Sequence, residues 1–311
     1  MKLTDLVILL HTQSVSYCYY KSNSNVENWI PLDVLKGGIK FALKNNLFIQ
    51  FVYPNCKLPE NYKYIIDSVK HLKIMPSCIE GQEDSIKVFS SLTEFTDYPF
   101  FAKNCILHIE FAQIEEAVNQ IIKKGDFLER LNLIIDDVES VQDSTMDKYR
   151  SVLEILLSYI KNVYDSQKEI HVNILTDRMF LHEMNNCNAG VRNLTLAPNG
   201  CFYICPAFYL DNPQDNVGNL QSGILIKNKQ LYQLEYAPIC RICDAYQCKR
   251  CIWLNRKMTL EVNTPSHEQC IMSHIERNTS KLLLDIINRD NTLIDNNIKE
   301  INYIDPFDKI K

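Results

Sequence analysis

The sequence predicts an α/β protein built on a parallel sheet, followed by a small cysteine-rich region. Three observations carry this. Short apolar runs take turns with amphipathic stretches through roughly the first 180 residues, the pattern of parallel strands joined by crossover helices. With 46% hydrophobic residues in 311, the chain can bury a sizeable core. Eight of the twelve cysteines fall between Cys187 and Cys270.

The elements follow in order. Leu6–Leu10 is an apolar run with the length of a buried strand. Pro31 opens a helical segment whose apolar positions, Leu32, Leu35, Ile39, Ala42 and Leu43, keep helical spacing. Leu47–Tyr53 is a second strand, stopped by Pro54. A short helix over Tyr62–Val69, an apolar run at Leu72–Met75 and a strand at Ser85–Phe89 come next. Cys105–Phe111 is a firmer strand, and Ala112–Lys124 is a helix stopped by Gly125. Asn132–Asp136 reads as a strand, Asp147–Val163 as a long amphipathic helix, and Glu169–Leu175 as the last strand, with a helical stretch behind it. That makes about six strand–helix units, the number counted by this alternation. A doubly wound sheet and an incomplete β/α barrel both satisfy it. In either, a ligand belongs at the C-terminal ends of the strands. One more amphipathic helix, Arg277–Asn288, precedes a polar tail.

Charge and termini exclude several classes of function. The net charge is −5 with no basic domain, so nucleic acid is not an expected partner. The apolar run near the N-terminus is too short for a signal segment or a membrane span, so no membrane partner and a cytoplasmic location are expected. In a reducing compartment clustered cysteines hold metal more often than they form disulfides.

The cysteine spacing is regular. Cys187 is followed by twelve residues, Gly200, four residues and Cys205; then comes Cys240-x2-Cys243-x4-Cys248-x2-Cys251, and Cys270 eighteen residues later. Zinc is one reading, since four thiolates suit it. Against zinc, paired knuckles set their Cys-x2-Cys halves fifteen or more residues apart, and here the gap is four. Iron–sulfur is the preferred reading.

This spacing resembles the SPASM domain, C-x(9–15)-G-x4-C, then C-x2-C-x5-C-x3-C, then C. That domain follows the partial (β/α)6 barrel of many radical S-adenosylmethionine enzymes, above all those that modify ribosomally made peptides. Leu196–Gly200, Cys205-Pro206 and Gly218-Asn219-Leu220 agree with the family's flanking residues. Two spacings depart from it, x4 for x5 and x2 for x3. The resemblance implies a radical SAM-type partial barrel over 1–185, a SPASM-like iron–sulfur domain over 186–275 and a C-terminal helix and tail over 276–311. It implies two auxiliary 4Fe–4S clusters, one on Cys187, Cys205 and Cys251, the other on Cys240, Cys243, Cys248 and Cys270. The first lacks a fourth ligand, for which Cys201 or His182 could substitute.

The barrel half departs further. The loop after strand one should carry C-x3-C-x2-C, whose three thiolates hold the cofactor-binding cluster. In His11-Thr12-Gln13-Ser14-Val15-Ser16-Tyr17-Cys18-Tyr19-Tyr20 only Cys18 remains, with His11 and Val15 at the other positions. Valine ligates nothing. The family's Gly-Gly-Glu after strand two is replaced by Tyr53-Pro54-Asn55-Cys56, and Gly37-Gly38 sits inside a helix without the acid. S-adenosylmethionine is therefore not expected to be bound or cleaved. The combination resembles the CXXX repeat peptide maturases. It implies a cysteine-containing precursor peptide as partner and, for catalysis, either a complete radical enzyme beside it or redox chemistry at an open auxiliary cluster. A zinc-holding scaffold is the third possibility.

Outside this pattern, Asp136-Asp137 could do acid–base work at a barrel mouth, though helix capping is the preferred reading. His108 is expected to be a satisfied core histidine. Cys56, Cys78 and Cys105 are isolated and read as small apolar residues.

Overall fold

The computed structural model describes residues 2–21, 27–79, 84–99, 102–289, 294, 298 and 301. The polar tail expected after Asn288 lies almost wholly outside them. In chain order the elements are β1 (Asp5–Leu9), α1 (Leu32–Lys44), β2 (Phe48–Val52), α2 (Glu60–Ile66), β3 (His71–Pro76), β4 (Ile86–Phe89), α3 (Leu92–Asp97), β5 (Asn104–Ile109), α4 (Ile114–Lys124), β6 (Arg130–Ile135), α5 (Met146–Asp165), β7 (His171–Val172) and α6 (Asn173–Phe180). There follow β8 (Asn193–Leu196), β9 (Phe202–Tyr203), α7 (Pro206–Asp211), β10 (Gly218–Asn219), β11 (Gly223–Ile224), α8 (Ile252–Thr259) and α9 (His267–Arg289). The expected elements through α4 are all present, and α3 is one the sequence reading did not include.

The chain forms two compact units that interleave. One joins 1–90 to 188–233, the other joins 91–187 to 234–311. These units cross the boundary expected at 185/186.

In the first unit the strands run in the order β4-β3-β2-β1-β8-β9, parallel except for β9, which turns back on β8. Their runs are apolar because both faces are covered, as parallel sheets require. Leu6, Ile8, Ile49, Phe51 and Leu196 form the core with Leu35, Ile39 and Ala42 of α1. Gly37 and Gly38 let that helix come close. A Cβ on Gly38 would collide with the Leu196 side chain, and one on Gly37 would stand 2.9 Å from Leu220. These glycines serve helix–sheet packing.

In the second unit β5, β6 and β7 pair in parallel. Here one expectation is corrected. The apolar run Glu169–Leu175 is a strand for only two residues, because side chains take over the ladder. Asn173 accepts the Leu133 N–H at 2.8 Å and donates to the Leu133 carbonyl at 3.1 Å. The Thr176 hydroxyl accepts the Val172 N–H at 2.9 Å and donates to the Val172 carbonyl at 3.0 Å. With its backbone groups satisfied this way, the chain turns into α6 at Asn173. A second correction concerns the last helix, which starts at His267, ten residues before the expected Arg277. Its early turns mix buried polar residues, Ser273, His274 and Glu276, with the buried apolar Ile271, Met272 and Ile275, which interrupts the apolar stripe.

Candidate metal centre

Tight turns gather four of the predicted ligands in the second unit. Cys240 opens a single 3-10 turn closed by the Cys243 N–H on the Cys240 carbonyl at 3.2 Å. The Ala245 N–H donates to Cys243 Sγ at 3.4 Å, and the Cys248 N–H to the Ala245 carbonyl at 3.0 Å. Cys251 caps α8, and Cys270 rides the first turn of α9 with its N–H on the Ser266 carbonyl at 3.1 Å. Burial pushes the Cys248 thiol well above the usual value, a hydrogen bond from Ser273 opposes this, and the thiols of Cys240, Cys243 and Cys270 push it up again. Cys243, also raised chiefly by burial, reaches about 11. Buried thiols of this kind ionise when a metal supplies positive charge.

The surroundings are polar and tightly held. Asp244, next to Cys243, takes Arg277 Nη1 at 3.0 Å on its carboxylate, and Arg178 Nε at 3.0 Å on its carbonyl. Arg178 Nη2 lies 3.5 Å from the other carboxylate oxygen. All three side chains are buried. His274 Nε2 sits 3.5 Å from Cys243 Sγ. Glu276 is also buried; it accepts the Tyr149 hydroxyl at 2.7 Å and a longer bond from Gln247 at 3.4 Å. Burial drives its carboxyl up to about 7 against the pull of those two donors.

Four sulfurs of a zinc site must each lie about 2.3 Å from one point. Among the described residues no three Cys, His, Asp or Glu side chains are arranged to hold a metal ion.

The other predicted ligands divide between the units. Cys187 and Cys251 belong to the second, where Cys187 Sγ donates to the Arg250 carbonyl at 3.7 Å. His182, in the same unit, is exposed. Cys201 and Cys205 belong to the first. Gly200, at φ +78°, makes the turn between β8 and β9, and Cys201 pairs through its backbone with Asn219. Cys205 caps α7 with Pro206 at its first position, the local structure that the flanking residues imply.

The loop after β1 is folded onto itself. His11 Nδ1 accepts the Gln13 N–H at 3.0 Å, its ring stands edge-on to Trp29 at 5.0 Å, and burial lowers its pKa, favouring the neutral ring. Val15 is buried and its N–H donates to the Tyr53 carbonyl at 2.9 Å. Cys18 supplies the one thiol of this loop. Buried Tyr20 feels the charges of Cys18 and, more weakly, Cys205. Beyond the ends of β2 and β3 lies a cavity of about 440 Å³ lined by Tyr53, Asn55, Cys56, Met75, Cys78 and Ile79, among others.

His108 and Asp136 pair at 2.7 Å, both buried or nearly so, which makes His108 the satisfied core histidine expected. Helix capping by the acidic pair is corrected: Asp136 serves His108, and Asp137 accepts the Phe111 N–H at 2.7 Å. Cys105 is buried, its thiol raised to about 12 by burial.

Spacing could have pointed to His274, since it follows Cys270 by one helical turn and lands on the same face. No local signal marks Arg178 as a neighbour of Asp244; tertiary folding alone brings the two together.

The chain matches no family model, and no curated protein matches it in sequence. Solved structures do match it in fold. A structure described as native anSMEcpe with bound AdoMet and Kp18Cys peptide aligns with TM-score 0.62 at 14% identity, over 92% of this chain and 99% of that one. Native anSMEcpe with bound AdoMet and no peptide in its description aligns with TM-score 0.61 at 13% identity, over 92% and 100%. The fold is of the radical S-adenosylmethionine type. The expected architecture, a partial barrel of that type with a cysteine-rich companion, is therefore borne out. Among the described residues no helix is long and apolar enough to cross a membrane.

Proposed function

We propose that the chain acts in the maturation of a cysteine-containing precursor peptide, as a cluster-bearing protein whose barrel does not cleave S-adenosylmethionine. Cys240, Cys243, Cys248 and Cys270 would hold one 4Fe–4S cluster, which when bound supplies one-electron redox chemistry. The observation that supports the reading is that Cys240 and Cys243 sit on one tight turn, Cys248 on the next, and Cys270 on the first turn of α9, all in the second unit. The loop after β1 supports the second half: with His11 turned onto Gln13 and Trp29, and Val15 buried, it offers Cys18 where three thiolates are needed. The cavity beyond β2 and β3 is a place where a peptide side chain could lodge, at the strand ends where such folds bind ligands. The solved relative carries a peptide as well as AdoMet. A complete radical enzyme acting beside this chain would supply the radical that the barrel lacks.

Anaerobic purification followed by iron, acid-labile sulfide and zinc analysis tests the metal. Four irons are expected if only the Cys248 set is loaded, and eight if a second cluster is bound. Stoichiometric zinc without sulfide overturns the reading. Reduction in the presence of S-adenosylmethionine is expected to release no 5′-deoxyadenosine; its release would restore the barrel as a radical source.

A further inference from the structure

Two cysteines expected to serve as small apolar residues, Cys56 and Cys78, are exposed, whereas Cys105 is buried. Both line the cavity beyond β2 and β3, and its whole lining falls between Tyr53 and Ile79, within the first unit. The strand register explains why they meet there. Phe51 pairs with Lys73 and Val52 with Ile74. Cys56 and Cys78 stand at the same offset just past those pairs, so the parallel ladder continued would set them side by side. Beyond the strands the two segments stay in contact, because the Cys78 thiol donates to the side-chain oxygen of Asn55, the neighbour of Cys56, at 2.5 Å. Neighbouring strands run about 4.8 Å apart, within the Cα separation of about 4.4–6.8 Å that a disulfide spans. The surroundings of the two thiols differ. Lys87 is buried, and its ammonium donates to the carbonyl of Ile79, next to Cys78, at 2.6 Å. A cation held there favours the Cys78 thiolate, the nucleophilic form. Burial and the charge of Glu27 instead push the Cys56 thiol up.

We propose that Cys56 and Cys78 are a dithiol couple that reduces a disulfide bond brought into this cavity, by two successive thiol–disulfide exchanges. In the first, the Cys78 thiolate attacks one sulfur of the incoming disulfide. A Cys78–substrate S–S bond forms, the substrate's own S–S bond breaks, and the departing sulfur leaves as a thiolate and takes a proton. In the second, Cys56 gives up its proton and attacks Cys78 Sγ. The Cys56–Cys78 bond forms and the second substrate thiol is released. The substrate gains two electrons and two protons, and the couple loses the same. A reduced small-molecule thiol restores the couple for another round. The substrate is a disulfide carried on a cysteine-containing peptide or on a small molecule. The proposal stands on the cavity and its two thiols, and holds with or without a metal in the second unit.

The experiment takes the full-length protein, reduced and desalted without oxygen, through two arms. One adds an equivalent of oxidised glutathione, the other an equivalent of a disulfide-bonded two-cysteine peptide. Mass-spectrometric peptide mapping then reads which cysteines are joined. A Cys56–Cys78 disulfide with a matching amount of reduced probe is expected, and the faster arm tells a peptide substrate from a small-molecule one. In Cys56→Ser the reaction should stop halfway, with the probe held on Cys78. Cys78→Ser should slow release of reduced probe about tenfold, and Lys87→Gln about threefold, through the lost thiolate. No Cys56–Cys78 disulfide in either arm overturns the proposal, and so does a wild-type rate in Cys78→Ser. The mapping needs no variant, so if a substitution unfolds the protein the wild-type chain still decides.

Discussion

The loop after β1 and the turns from Cys240 to Cys251 are both short, cysteine-bearing stretches that the family pattern marks as ligand loops, and they have been finished differently. In the first, the residues at the ligand positions are consumed by the fold: His11 accepts a backbone N–H and packs on Trp29, and Val15 fills a buried slot. In the second, the cysteines sit on tight turns among polar groups: the Ala245 N–H donates to Cys243 Sγ, His274 Nε2 lies 3.5 Å from that sulfur, and the neighbouring Asp244 pairs with Arg277. The difference teaches that a position the family pattern marks can be taken over by packing in one loop and left among polar groups in another.

The strongest way to break this contrast is to exchange thiols for hydroxyls. Cys248→Ser is expected to remove most of the iron bound by its set, because it takes one of the four proposed thiolates from the cluster. Cys18→Ser should leave iron content unchanged and stability within about 0.5 kcal/mol, as expected away from buried networks. Iron analysis and thermal melts of both variants check the pair; equal iron loss would end the distinction between the loops.

Next in size is Asp244→Ala, which takes the carboxylate from two buried guanidiniums. Stripping one partner from a buried ion pair costs about 3–5 kcal/mol, so the melting temperature should drop by many degrees. A drop typical of a surface site would show that Arg178 and Arg277 are not held as described.

Glu276 sharpens the contrast through pH. Its folded pKa, about 7, stands above the ordinary value of 4.5, so between those values the folded state binds more protons than the unfolded one. Stability from this group is therefore complete below about pH 4.5 and declines as pH rises through 7. The full span is about 3 kcal/mol by linkage from that 2.5-unit difference. Glu276→Gln should flatten this part of the curve between pH 5 and 8 in urea titrations. An unchanged slope would refute the assignment.

The smallest effect is expected at Gly38. A Cβ there meets a flexible Leu196 side chain that can yield, so Gly38→Ala should cost about 1–3 kcal/mol by overpacking, with iron binding untouched.

What the sequence made legible followed from which residues were buried against what. β1, β2, β5 and β6 were readable because parallel strands covered on both faces are continuously apolar. The tight turn at Cys240–Cys243 was readable from its spacing, because a Cys-x2-Cys pair is the length of one turn. The Glu169–Leu175 strand failed because apolar composition cannot reveal that Asn173 and Thr176 divert the ladder. The first turns of α9 failed for another reason: buried Ser273, His274 and Glu276 interrupt the apolar positions Ile271, Met272 and Ile275, so the stripe is hard to see. The interleaving of the two units was equally illegible, since no linker composition marks it.

That interleaving has a consequence for the growing chain. The second unit opens at Ser91, is left at Cys187 and resumes only at Leu234, and α9, which packs on α5 and α6, ends at Arg289. During synthesis, α5 and α6 emerge from the ribosome long before the helix that packs on them, so buried residues such as Leu153, Leu156 and Leu175 wait for α9. A product cut short before His267 would leave those apolar faces uncovered and be a target for proteases.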